Sequence, residues 1–282
     1  MPTVPLAEAL LPWYAATARD LPWRRTRDPW AILVSEVMLQ QTPVARVLPA
    51  YAAWLDRWPT PAALAADSPG EAVRMWGRLG YPRRALRLHA AATAIGDGPF
   101  PDTLDGLLAL PGVGAYTARA VASFAFGQRH PVVDTNVRRV VARAVHGRGE
   151  AGPPSTARDL TDVEPFLPEE GADVFGAALM ELGAVVCTAR APRCDACPVA
   201  AACAWRAAGR PAYDGPRQRP QAWQGTDRQC RGALLATLRD AAGPVPAEGL
   251  RWPDEAQRRR ALDGLLADGL AVAVDGGFAL PR

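Results

Sequence analysis

The 282-residue chain contains no lysine, so all 32 of its basic residues are arginine. That absence excludes the P-loop lysine of nucleotide binding, a pyridoxal Schiff base and any lysine nucleophile. Long apolar runs are missing as well, and no uncharged stretch approaches the length of a membrane span, so no membrane partner is expected. The opening MPTVPLAEALLPWY has neither the basic region nor the small-residue cleavage site of a secretory signal, so a cytoplasmic location is expected. Cysteine is scarce at five residues, yet four of them fall within 187–203. In a reducing compartment such a cluster is expected to bind metal rather than to form disulfides. The rest of the composition, 49% hydrophobic and 22% charged with a net charge of +3, is that of a globular protein with a large core and room for a small appendage.

Apolar residues recur at helical spacing in 30–41, 46–58, 71–79, 83–95, 116–126, 136–146 and 172–187, with Pro and Gly between them. No sustained strand alternation interrupts residues 5–205, and the predicted fold is mainly α. Residues 209–225, rich in Pro, Gly and Arg, read as a linker. Beyond it, 228–241 and 254–269 read as helices and 270–280 as a hairpin around Asp275-Gly276-Gly277, the outline of a winged-helix-like α+β unit over 226–282. That unit holds eight arginines and eight acids, so its charge does not mark a strong DNA binder. Arg258, Arg259 and Arg260 are expected to form a solvated helix face rather than a phosphate contact.

Four stretches could carry chemistry. In DGLLALPGVGAYTARAVASFAFG (105–127) one helix ends near Leu110, Pro111-Gly112-Val113-Gly114 turns tightly, and a second helix starts at about Ala115. Its free N–H groups and positive dipole end suit a phosphate, although a plain helix–turn–helix connection would read the same way. In AILVSEVMLQQTP (31–43), Glu36 stands among Ile32, Leu33, Val37 and Leu39 on a helix that ends near Thr42-Pro43. Buried there, it would hold a proton near neutral pH and act as a general acid; on a solvated stripe it would do neither.

In HPVVDTNVRRVVARAV (130–145), Asp134 precedes a helical pattern as a natural N-cap. It is also a candidate for the ionised carboxylate that glycosidic cleavage requires beside a protonated acid, and the two roles are compatible. The fourth stretch, CTARAPRCDACPVAAAC (187–203), spaces its cysteines at x6, x2 and x5. Structural zinc sites bring together two separated pairs, whereas one compact loop of four thiolates suits a [4Fe–4S] cluster. Arg190 and Arg193 lie in the first gap, where a stiffened loop would aim them at phosphate.

Taken in order, LPWR (21–24), SEVMLQQT (35–42), RLGY (78–81), LPGVGAYTA (110–118), VDTNV (133–137), MELGAVVC (180–187) and the cysteine spacing resemble the helix-hairpin-helix DNA glycosylases with an iron–sulfur loop, and within them the MutY-type adenine glycosylases. The resemblance covers about residues 5–205. It implies a two-lobed glycosylase domain over 1–208, with a six-helix lobe at about 29–132 and a cluster lobe formed by 1–28 and 133–208. It further implies a [4Fe–4S] cluster on Cys187, Cys194, Cys197 and Cys203. The implied partner is double-stranded DNA carrying an adenine mispair, bound by a monomeric enzyme near the nucleoid.

By the same resemblance, Glu36 protonates a flipped adenine, Asp134 stabilises the sugar cation, and Tyr116 and Asn136 orient them. Arg19, Leu21, Trp23 and Arg24 match the adenine pocket. Gln40, Gln41, Thr42 and Tyr81 match residues that wedge into or grip the duplex, together with the hairpin residues Leu110, Gly112, Val113 and Gly114 and the loop residues Arg190 and Arg193. Endonuclease III, the neighbouring family for oxidised pyrimidines, uses a lysine where this chain has Tyr116, so hydrolysis without efficient lyase action is implied. Pro2 is the remaining amine candidate. A non-catalytic iron–sulfur regulator would leave Glu36 and the wedge residues without a purpose. Two departures stand out: Ala177 replaces a Glu or Gln of the adenine pocket, and the winged-helix-like unit stands where relatives carry a MutT-like domain.

Overall fold

A computed structural model describes residues 6–216 and 223–282. The helices run α1 (Leu6–Thr17), α2 (Pro29–Leu39), α3 (Val44–Arg57), α4 (Pro61–Ala65), α5 (Pro69–Trp76), α6 (Arg83–Ile95) and α7 (Leu104–Leu108). They continue with α8 (Ala115–Phe126), α9 (Thr135–Ala144), α10 (Thr156–Val163), α11 (Ala172–Val185), α12 (Ala204–Ala207), α13 (Asp227–Asp240) and α14 (Glu255–Ala267). Two short strands close the chain, β1 (Val272–Val274) and β2 (Gly277–Ala279). The fold is mainly α, as the periodicity predicts. No described helix is long and apolar enough to cross a membrane.

The chain divides into two compact units. The first comprises residues 1–32, 102–107 and 114–218. Its core is built on α1, α9 and α11, with Leu6, Leu10, Val137, Val141, Phe175, Leu179 and Leu182 buried. Helix α9 shows why the sequence folds this way. Asp134 caps it by accepting from the N–H groups of Asn136 and Val137, and Val137, Val140, Val141 and Ala144 line its buried face. Gly183 is obligatory where α11 meets α9, because a Cβ there would lie 2.6 Å from Asn136 Cβ.

The second unit comprises 33–101, 108–113 and 219–282. Trp54 packs edge-on against Trp58 and Trp76, with ring centroids 4.7 and 5.6 Å apart, at the centre of α3 and α5. The C-terminal segment is interlocked with this unit. Arg74 on α5 donates to the carbonyls of Arg239 and Ala241, and Arg239 donates back to Val73 O at 2.9 Å. Asp268 receives both Arg83 and Arg231, and a Cβ on Gly70 would collide with Pro281 O.

Within this segment α13 packs on α14, and β1 pairs with β2 in register Val272↔Ala279, with Asp275-Gly276 as the two-residue turn. The expected hairpin is present and Gly277 belongs to its second strand. Arg258 and Arg259 pair with Glu255, and Arg260 with Asp227, as a solvated helix face would.

Candidate active site

In the first unit, Asp134 is the centre of a built array. Its Oδ1 accepts from the backbone N–H of Asn136 (2.8 Å) and Val137 (2.7 Å), and its Oδ2 accepts from Asn136 Nδ2 at 2.8 Å. Arg139 then fixes Asn136, donating to its Oδ1 and to Gly183 O at 2.7 Å each while its Nε donates to Cys187 O. Burial holds the Asp134 carboxyl above its ordinary range, and the three N–H donors with Arg139 offset only part of that. Tyr116 lies half-buried in the first turn of α8.

The pocket candidates Arg19 and Arg24 converge on a residue the motif reading passed over. Glu181, fully buried on α11, accepts from Arg19 Nε and backbone N–H on Oε1 and from Arg19 and Arg24 guanidinium groups on Oε2, at 2.7 to 3.1 Å. Burial alone would raise its carboxyl, but the two arginines outweigh that and hold it at about 2. The sequence suggests a fork of Arg24 donors open to a purine; the structure turns much of that fork to Glu181 and to Arg19 O. Leu21 is buried and Trp23 half-buried beside them in the chain. Ala177 stands one turn before Glu181 on the same helix.

The cysteine loop is tied to α9 by Arg143, which donates to Thr188 O at 2.7 Å and Ala189 O at 3.1 Å and approaches Cys187 Sγ at 3.5 Å. Cys187 and Cys197 pack against the core, and all four cysteines are free. Burial pushes the Cys197 thiol up to about 11. Among the described residues, no three of His, Cys, Asp or Glu gather closely enough for a single metal ion. Arg190 is exposed. Arg193 is exposed as well, with its Nε and Nη2 donating to Val185 O at the end of α11.

The second unit holds the remaining candidates apart from Gly114, which opens a segment of the first. Glu36 is 7% exposed in the last turns of α2, in a run where residues 30–38 are all buried. It occupies the apolar face, not the solvated stripe. After α2, Gln40 is half-buried, Gln41 is exposed, and Thr42 is buried. Tyr81 is 51% exposed in the loop between α5 and α6. In the hairpin, Leu110 and Val113 are buried and anchor the turn, while Gly112 has φ of +74° and a Cβ there would lie 2.6 Å from Arg87 Cβ on α6. Gly114 is the exposed N-cap of α8 and supplies no side-chain cap. Pro2 lies outside the described residues.

Residues 34–165 match the HhH-GPD superfamily of base excision DNA repair proteins. Over 281 residues the chain is 59% identical to the adenine DNA glycosylase of Mycobacterium tuberculosis, covering 96% of this chain and 92% of that one. The chain belongs to the adenine DNA glycosylase family. The Homo sapiens adenine DNA glycosylase is 44% identical over 216 residues, 69% of this chain and 38% of its own. A solved endonuclease III–DNA complex superposes with a TM-score of 0.62 at 25% identity, over 75% of this chain and 100% of that one. As a family member the chain is a base excision repair enzyme that acts on N-glycosidic bonds in DNA.

Proposed function

We propose that the protein is a monofunctional adenine DNA glycosylase. It removes adenine opposite 8-oxoguanine or guanine in double-stranded DNA, as a monomer working in the cytoplasm beside the nucleoid. The observation that carries this reading is near full-length kinship with a named adenine glycosylase, in a chain with Tyr116 where a lyase would need lysine.

The chemistry follows from the two carboxyl groups. Glu36, buried at the end of α2, is the group that delivers a proton to a ring nitrogen of an extruded adenine. The C1′–N9 bond then breaks, its electron pair leaving with the purine, and positive charge develops on the sugar. The Asp134 carboxylate, which accepts from Asn136, stabilises that charge or traps it covalently until water adds its oxygen to C1′ and passes its proton to the Glu36 carboxylate. Extrusion is easiest at a mispair, one source of selectivity. Gln41 and Tyr81 are the wedges, and Gly112 with the N-terminus of α8 receives a phosphate.

The cysteine loop fits a [4Fe–4S] cluster held by Cys187, Cys194, Cys197 and Cys203. Four thiolates would complete its ligand set, and a bound cluster would stiffen the loop that carries Arg190. Protein prepared without air is expected to hold about four irons per chain, lost on Cys197→Ser. One zinc per chain in place of iron would overturn the assignment.

Function is tested by single-turnover release from duplexes with adenine opposite 8-oxoguanine, guanine or thymine, beside a thymine-glycol duplex. Adenine release from the first two is expected. Release of thymine glycol without adenine would move the protein to the endonuclease III class.

A further inference from the structure

Among the described residues only three other than glycine have a left-handed backbone: Gln41 (φ 54°), Tyr81 (φ 48°) and Arg210 (φ 61°). Two of the three are the wedge candidates, on segments forty residues apart in the chain. Such a conformation is costly for a non-glycine residue and persists where its surroundings over-determine it. For both wedges the surrounding restraint is the same side chain.

Arg84, 5% exposed at the start of α6, sits between the two segments. Its Nη1 donates to the carbonyls of Val37 (2.8 Å), Met38 (3.1 Å) and Gln40 (2.6 Å), closing the end of the helix that carries Glu36. Its Nη2 donates to Thr42 Oγ1 (3.0 Å), Leu79 O (3.5 Å) and Gly80 O (3.0 Å). The acceptors therefore flank Gln41 on both sides and lead directly into Tyr81. The guanidinium also lies 5.2 Å from the Trp76 ring centre and 5.6 Å from that of Tyr81. Thr42 adds its own bond to Leu79 O at 3.3 Å, a direct strut between the segments. Desolvation lowers the guanidinium to about 10, so it remains charged at neutral pH. Among the described residues its hydrogen-bond partners are carbonyls and one hydroxyl, with no carboxylate.

We infer that Arg84 is a positioning residue that holds Gln41 and Tyr81 as a matched pair of wedges, in fixed register with the helix that bears the catalytic acid. It rests on the proposed function for the meaning of the wedges, and on the geometry alone for the linkage. A planar fork spanning six acceptors is something lysine cannot reproduce, since its ammonium is one compact point with three donors.

The test uses the full chain with Arg84→Met and Arg84→Lys, each assayed on an A:8-oxoguanine duplex carrying 2-aminopurine beside the mispair. Burst amplitude gives the folded, active fraction; the single-turnover rate constant and the 2-aminopurine signal describe only that fraction. Both variants are expected to lose unstacking signal, and the rate constant of Arg84→Met is expected to fall about 100-fold, as for a roughly 1 Å misplacement. Arg84→Lys should fall between it and the parent. Combined with Gln41→Ala and Tyr81→Ala, Arg84→Met should lower the rate by no more than about twofold further.

A variant with reduced amplitude but parental rate constant and signal would show Arg84 to be a fold staple only and overturn the inference. So would full additivity with the wedge substitutions. If Arg84→Met does not fold, Arg84→Lys decides by the same criteria. A parent protein that releases no adenine would instead defeat the proposed function, while the unstacking signal would still report on Arg84.

Discussion

Glu36→Gln is expected to bind an A:8-oxoguanine duplex with parental affinity and to release essentially no adenine. The amide keeps the size and most of the hydrogen-bonding capacity of the acid in a site only 7% exposed, so the helix end and its neighbours need not move. What it lacks is a proton to give. General acid catalysis contributes about 10²–10⁴ in rate, and a loss within or beyond that range is expected under single-turnover conditions. Retained affinity, measured by gel shift or fluorescence anisotropy, separates this result from misfolding. A variant that cleaves within threefold of the parent would remove Glu36 from the mechanism, and another group would have to protonate the base.

Asp134→Asn is expected to slow release about as severely while leaving the fold in place. Asn ranks with Asp as an N-cap, so α9 should lose little stability, whereas Ala would cost about 1 kcal/mol. The substitution therefore parts the two duties of one side chain. Its capping oxygen, which accepts from Asn136 and Val137, survives; the negative charge facing the developing cation does not. An amide also places a second donor against Asn136 Nδ2, which now donates to Asp134 Oδ2, so the neighbour must reorient. Thermal unfolding within a few degrees of the parent together with a rate lowered about 10²-fold or more is the expected pair of results. Equal losses of stability and rate in Asn and Ala variants would mean that only the cap matters.

Helices whose apolar residues keep a 3.6 period were legible before any coordinates. Residues 83–95 and 172–187 correspond to α6 and α11, and Asp134 announced itself by standing before such a run. The hairpin of residues 110–114 was legible because Gly112 must take a left-handed turn. Glu36 was ambiguous, since periodicity places a polar residue on an apolar face without saying what covers it.

Glu181 and Arg84 were not legible at all, for one physical reason. A buried charge is defined by its partners, and those of Glu181 lie 157 and 162 residues away in the chain. Arg84 is paired with backbone carbonyls, which every residue has, so no side-chain pattern betrays it. The segmental make-up of the second unit escaped notice too, because a linker rich in Pro and Gly reads as a boundary wherever the chain later returns.

That return has a consequence during synthesis. The second unit is assembled from 33–101, 108–113 and 219–282, with most of the other unit made in between. The ribosome therefore delivers the α5 surface around Gly70 and Val73 long before the strands and helices that cover it. The unit bearing Glu36 reaches its final form only after residues 219–282 have emerged and, through such long-range closure, forms slowly compared with a bundle built from neighbours.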